Sequence, residues 1–183
     1  MSELDALAEE VGASGRTLRR AAARGAIRCQ RPSERRIVIP PTEYDYVRRH
    51  WSFFERLLAA LRTEPNVRLA VVFGSVARGE EQADSDLDLL VQLRRDGSGA
   101  RAELRERLEG AIGRRVQLVG LDEAERSVLL LADVLYDGRV VVDRDGRWQR
   151  LKRRERAIER QAEDADRRLD DEAWAALEHL DVG

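Results

Sequence analysis

A single cysteine, Cys29, among 183 residues leaves no partner for an internal disulfide, so the expected setting is a reducing interior. His50 and His179 are the only histidines, they lie far apart, and no Cys/His cluster has the spacing of a zinc site. The sequence lacks an apolar run of membrane-spanning length and an apolar N-terminal signal segment, which gives a cytoplasmic expectation with no membrane role. It also lacks a dominant sign of charge: 33 Lys and Arg stand against 35 Asp and Glu, for a formal net charge of −2. Global attraction to nucleic acid is therefore excluded, and any such binding must come from a local cluster. What the chain does have is 43% hydrophobic and 37% charged residues, enough for one proper core and a small second one.

Two short apolar runs, Val67 to Phe73 and Leu87 to Leu93, read as buried β-strands. Between them stands Gly74-Ser75, then a ten-residue spacer, then Asp86-Leu87-Asp88. Gly74 can take backbone angles closed to other residues, and Ser75 is positioned to cap a short helix whose first amides suit a phosphate. Asp86 and Asp88 are two apart, so on a strand both carboxylates leave one face while Leu87, Leu89 and Val91 pack on the other. Two convergent carboxylates opposite a phosphate-binding turn make a Mg²⁺ site for a nucleoside triphosphate, and the chemistry implied is in-line attack on the α-phosphate. Taken alone, an Asp-x-Asp is equally a solvated strand edge, and a Gly-Ser turn is common. The two in order between buried strands are the stronger signal. Arg78 is either a phosphate contact or a solvated helix-end arginine. Ser85 is a turn residue whose hydroxyl could support a carboxylate of the site.

The run G-S-V-A-R-G-E-E-Q-A-D-S-D-L-D-L-L-V resembles the minimal nucleotidyltransferases of the DNA polymerase β superfamily, over about Pro65 to Asp143. The resemblance implies an α+β fold with a mixed β-sheet and flanking helices, ATP or another triphosphate as donor, and Mg²⁺ held by Asp86 and Asp88 as catalytic residues. Gly74, Ser75, Arg78, Ser85 and Gln117 would then contact the nucleotide. One departure stands out. Where that family usually has a third carboxylate, this chain reads Val116-Gln117-Leu118-Val119, and an amide carries no charge and accepts no proton from an attacking hydroxyl. Asp122 reads as a helix cap, Asp133 as helical and Asp143 as a strand end, so none is a convincing replacement.

The flanks carry different signals. Leu4, Leu7, Ala8 and Val11 recur at helical spacing, Gly12-Ala13-Ser14 breaks the pattern, and Ser14 can cap a second helix bearing Leu18, Ala21 and Ala22. From Ser14 to Arg36 there are eight arginines and one acid, Glu34, and Ile27 to Ile39 reads as a hairpin. The segment resembles winged or MerR-like helix-turn-helix domains, which implies DNA binding through Arg16, Arg19, Arg20, Arg24, Arg35 and Arg36. A structural or protein-docking module is the alternative. Thr42 is placed to cap an amphipathic helix running to about Thr63, whose stripe of Tyr46, Val47, Trp51, Phe54, Leu57, Leu58 and Leu61 reads as core. The expected organisation is a helix-turn-helix with wing over 1–41, a connecting helix over 42–64, the nucleotidyltransferase domain over 65–146, and a charged helical extension over 147–183. Leu151, Ile158, Ala162, Ala165 and Leu169 form a thin stripe in that extension, suited to homo-oligomerisation, to partner docking or to a plain surface strap.

Two functions follow. The first is an enzyme transferring a nucleoside monophosphate from a triphosphate to a protein or other acceptor. Small members of the resembled family include antitoxins that modify a partner toxin, and a fused DNA-binding segment suits an antitoxin acting on its own operator. The second is a non-catalytic DNA-binding regulator whose nucleotidyltransferase fold is degenerate because Gln117 replaces an acid.

Overall fold

The computed structural model describes residues 2–33 and 36–180. Two short helices, α1 (Glu3–Glu10) and α2 (Gly15–Arg24), lead to a hairpin of β1 (Gln30–Ser33) and β2 (Arg36–Val38). A long helix α3 (Pro41–Arg62) enters the sheet through β3 (Val67–Phe73), the one-turn helix α4 (Gly74–Arg78) and β4 (Leu87–Leu93). The chain continues through α5 (Ala100–Ile112), β5 (Val116–Gly120), α6 (Leu121–Arg126), α7 (Val128–Asp137), β6 (Arg139–Asp143), α8 (Arg147–Lys152) and α9 (Glu155–Leu180). The result is the expected α+β architecture. Its four-stranded sheet has the order β5-β4-β3-β6, with β3 antiparallel to both neighbours and β4 parallel to β5.

Strand alternation sorts the sheet's side chains onto two cores. One face carries Ala70, Val72, Leu87, Leu89, Val91 and Val116 and packs against α3, α5 and the N-terminal helices. The other carries Leu69, Val71, Phe73 and Leu90 and is covered by α6, α7, α8 and the start of α9. Because Leu4, Leu7, Leu18 and Ala21 belong to the same core as Leu57, Val72 and Val141, the N-terminal helices and the sheet bury one continuous apolar volume. The outer edge of β6 is also closed by this N-terminal segment: Val140 donates its amide to Gly25 O (3.2 Å) and Arg24 Nη1 donates to Val141 O (2.6 Å).

Several local expectations need correction. Ser14 does cap α2, accepting the Thr17 amide at 3.1 Å. Thr42 does not cap α3, which already begins at Pro41 with Pro40 as its N-cap; a proline in the first turn gives up an amide that has no helical partner anyway. Asp122 caps nothing either. Gly120 precedes α6, and Asp122 sits in its first turn bound to Arg101 Nη2 (2.7 Å). After β5 the chain forms two helices, broken at Ser127, whose hydroxyl caps α7 through the Leu130 amide (3.4 Å). The charged extension is the short α8 followed by a 26-residue helix α9. Ile158 and Ala162 are buried, while Leu169 and Trp174 face solvent. Among the described residues no helix is long and apolar enough to cross a membrane.

Where α3, β6, α4 and the end of α2 meet, an ion pair is buried. Arg139, 2% exposed, holds Glu43, 5% exposed, by two parallel bonds of 2.6 and 2.9 Å. The guanidinium also donates to Ala77 O (2.7 Å) and Ala26 O (3.2 Å) and lies 3.5 Å over the Tyr46 ring. Glu43 accepts in addition the Arg28 amide (2.9 Å), and Tyr46 donates its hydroxyl to Val76 O (2.9 Å). Each charge is thus desolvated and saturated, which is the case where removing one partner strands the other. Arg139→Met is expected to lower unfolding free energy by about 3–5 kcal/mol, and Arg139→Met with Glu43→Leu to recover much of that loss. Urea denaturation of the three proteins checks this; equal stability of the two mutants would remove the pair from its organising position.

Candidate active site

β3 ends at Phe73 and the chain turns at once into α4, whose first residue, Gly74, has φ +70°. The turn is dictated from across the sheet. Phe73 pairs with Asp88, and a β-carbon on Gly74 would fall 2.5 Å from Asp88 Oδ2. Glycine is required twice here, by its left-handed backbone and by the carboxylate beside it. Phe73 is the N-cap and supplies no side-chain bond, so the expected cap by Ser75 is not formed; Ser75 lies inside the first turn of α4, half-buried.

Asp86 immediately precedes β4 and Asp88 is its second residue, so the two share the face of the sheet that also carries Phe73 and Leu90. Asp88 is a register partner of Gln117 on β5, which places the exposed Gln117 beside it on the same face. Burial, then the Asp86 and Asp137 carboxylates, push the Asp88 carboxyl above the ordinary carboxylate range, and Arg78 opposes them. One oxygen of Asp86, Oδ1, is buried with no hydrogen-bond partner among the described residues. Arg115 Nε comes within 2.9 Å of it at an angle outside hydrogen-bond geometry, on a side chain that is 79% exposed.

Asp137, at the end of α7, is the functional candidate that sequence reasoning missed. It is 4% exposed, one oxygen accepts Arg78 Nη1 at 2.7 Å, and the other has no hydrogen-bond partner among the described residues. Burial raises its carboxyl, opposed by Arg78 and the Gly74 amide. With Phe73, Gly74, Arg78, Asp133 and Tyr136 it lines a recess of about 370 Å³, and the Tyr136 ring at the rim is 83% exposed. Nothing in the spacing announces this: Asp137-Gly138 reads as an ordinary turn, some fifty residues beyond the motif. Arg78 is held by Glu80 (2.7 Å) and Asp137 and lines the recess. Ser85 is elsewhere; its hydroxyl accepts the Gln82 amide (2.8 Å) and closes the loop before β4.

Among the described residues no group of three or more His, Cys, Asp or Glu could hold a metal ion, so the protein's contribution to one would be the pair Asp86 and Asp88. The pair fits a hard cation: both side chains are carboxylates, Asp86 Oδ1 makes no hydrogen bond and is met only by the exposed Arg115 guanidinium, and burial with the Asp86 charge already raises the cost of ionising Asp88. Of the arginines expected at DNA, Arg16, Arg19 and Arg20 lie on the exposed side of α2, with Arg19 paired to Asp5. Arg24 is turned into β6, and Arg35 and the side chain of Arg36 lie outside the described residues.

A strand–glycine turn–helix followed by paired carboxylates on the neighbouring strand defines a nucleotidyltransferase-type site. The family described as Polymerase beta, Nucleotidyltransferase matches residues 55–147, and the chain belongs to it. A protein adenylyltransferase MntA from Thermococcus cleftensis is 37% identical over 89 residues, 45% of this chain and 90% of the relative. Among solved structures, a toxin–antitoxin crystallised with AMP-PNP has 23% identity and a TM-score of 0.54, covering 66% of this chain and 98% of that one. A mutant of the toxin–antitoxin MntA-HpeT gives 21% identity and a TM-score of 0.55 over the same shares. These last two likenesses are of fold.

Two outcomes follow from the geometry. Gly74→Ala is expected to cut any activity of the site by about 100-fold or more, the scale of losing one aligned electrostatic contact, because its methyl displaces Asp88. Wild-type kinetics in that variant would detach Gly74 from the site. The second concerns pH. A carboxyl whose folded-state pKa is raised contributes stability while protonated, and that contribution is lost as pH rises through the raised value. Metal-free Asp88→Asn is therefore expected to melt no lower than wild type at neutral pH, and Mg²⁺ to raise the wild-type melting temperature at neutral pH by more than in the acidic carboxylate range. Calorimetry at both pH values checks this; a large loss of stability in Asp88→Asn would contradict the electrostatic account.

Proposed function

We propose that the chain is a Mg²⁺-dependent nucleotidyltransferase that transfers the nucleoside monophosphate of ATP to a hydroxyl on a partner protein. The observation that carries this is the convergence of Asp86 and Asp88 on one face beside Gly74, with an unsatisfied oxygen and a raised carboxyl. In the reaction the acceptor oxygen forms a bond to the α-phosphorus, the bond to the β-phosphate breaks, pyrophosphate leaves, and the hydroxyl proton is released. Asp86 and Asp88 would hold Mg²⁺, which supplies charge neutralisation at the phosphates when bound. Gly74 keeps the backbone low enough for phosphate to approach. Arg78 lines the recess beside Gly74, and its Nη2 has no partner among the described residues, while Ser75 lies in the first turn of α4. Gln117 offers an amide to the nucleotide and takes up no proton.

A protein acceptor is supported by the relative, a protein adenylyltransferase that this chain nearly spans. The toxin–antitoxin neighbours agree in fold and suggest a toxin as partner, with this chain as antitoxin. An N-terminal DNA-binding role is favoured by Arg16 and Arg20, one helical turn apart on the open side of α2. The second reading, a DNA-binding regulator without transfer activity, is favoured by Gln117 at the register partner of Asp88, where an acid would complete the charge.

The two readings part in one assay. With α-labelled ATP, Mg²⁺ and the product of the neighbouring gene, label is expected on that product, reduced by about 100-fold or more in Asp86→Ala and Asp88→Ala. Labelling that persists in both variants removes the carboxylates from the mechanism. No labelling by wild type, together with binding of upstream DNA, selects the regulator.

A further inference from the structure

A second charged feature shares no residue with the Gly74–Asp88 site. Between α2, the last turn of α3 and the end of β6 lies a groove of about 510 Å³ lined by Thr17, Arg20, Arg24, Arg62, Asp143 and Arg144, together with apolar side chains. Four guanidiniums share the groove with one carboxylate, Asp143, which accepts the Arg147 amide at 2.9 Å and the Trp148 amide at 3.2 Å and makes no ion pair among the described residues. The nearby Asp145 is held by Arg68.

The arginines outnumber their counter-charge four to one, and none makes an ion pair among the described residues. Arg24 donates to Val141 O, and Arg144 donates to Glu64 O (3.0 Å) and Leu61 O (3.2 Å); these are neutral carbonyls. Neither Arg20 nor Arg62 has a hydrogen bond or ion pair among the described residues, and both are exposed. Burial, and then the charge of Arg20 alongside, hold the Arg24 guanidinium below its ordinary range. Arg101, by contrast, engages Asp96, Asp122 and Glu123. A chain of formal charge −2 that leaves four arginines unpaired in one groove has a place for an anion.

The form of the anion follows from the layout. Arg20 belongs both to the groove and to the open side of α2 that carries Arg16, so the positive charge runs as a band off the helix onto the transferase body. A helix lying in a DNA major groove, about 12 Å wide, has a phosphate strand along each flank. We infer that this groove is a seat for the phosphodiester backbone of duplex DNA, in which Arg62 and Arg144, outside the N-terminal segment, hold one strand while α2 lies in the adjoining major groove. The inference rests on the DNA-binding reading of α2.

The test uses the full chain and fluorescence anisotropy with two short duplexes of unrelated sequence over a range of salt. Arg62→Ala is expected to weaken both duplexes by the same factor, about 3–10-fold, and to lower the log–log salt slope by about 1, as for one lost phosphate contact. Arg105→Ala, an exposed arginine on α5, should leave affinity and slope unchanged. If Arg16→Ala weakens binding and Arg62→Ala does not, the groove is overturned while the α2 reading stands. If wild type binds neither duplex at about 50 mM salt, the α2 reading falls and takes the inference with it. Calorimetric binding of pyrophosphate in metal-free buffer, lost in Arg62→Ala without any duplex binding, would give the groove to a small phosphate ligand and overturn the backbone seat.

Discussion

A guanidinium sealed from water at the junction of four elements holds this molecule in one arrangement. Arg139 reaches Glu43 of α3, the carbonyl of Ala77 in α4 and the carbonyl of Ala26 after α2, with Tyr46 beneath it. A charge without water must have its donors satisfied, and each of these partners is therefore fixed in place by the cost of leaving. Two of the partners matter for chemistry. Ala77 and Val76, the latter bound by the Tyr46 hydroxyl, belong to the helix that starts at Gly74. Arg28, whose amide also binds Glu43, donates its side chain to the carbonyl of Asp137 (2.6 Å). The turn and the buried acid of the site are thus anchored from behind, in the core.

On the front of that anchor the site is a balance of like charges. Asp86 and Asp88 leave the same face, Asp137 lies close enough to add to their repulsion, and Arg78 compensates in part. Such an arrangement is unfavourable in an empty protein and becomes favourable around a cation with its phosphates. That asymmetry suits the Mg²⁺ and triphosphate of the proposed function, and a packing core has no use for it. Gly74 sets the distance: any side chain there would run into the Asp88 carboxylate.

The two strands that flank the Gly74 turn were legible because their signal is local. Val67–Phe73 and Leu87–Leu93 are observed with the bounds that their apolar runs imply, and the position of Asp86 and Asp88 on one face needs only the two-residue period of a strand. The α3 stripe was legible for the same reason at helical period, with Tyr46, Trp51, Phe54 and Leu57 all buried. What sequence did not disclose depends on tertiary contact. Asp137 joins the site only because α7 folds back against α4, and Arg139 reads as one more arginine until the burial of Glu43 opposite it is known. Caps failed where geometry offered a better start: Pro41 preempted Thr42, and the Gly74 turn left Ser75 inside its helix.

The small net charge hides a segregation that bears on how the parts work together. Carboxylates gather around Gly74, and unpaired arginines gather along α2 and the end of β6, with no lining residue in common. A phosphate chain drawn to the arginines would be repelled at the acids, so the same polyanion does not suit both places unless a cation intervenes. Yet β6 belongs to both neighbourhoods: its first residue, Arg139, backs the site, and Val141 to Asp143 floor the basic groove. The N-terminal helices cannot be taken as a separable appendage, since Leu4, Leu7 and Leu18 complete the core that Val72 and Val141 begin, and Gly25 closes the open edge of β6. Removing them would expose apolar surface and an unpaired strand edge, which is why substitutions of single exposed arginines separate the two neighbourhoods more cleanly than truncation.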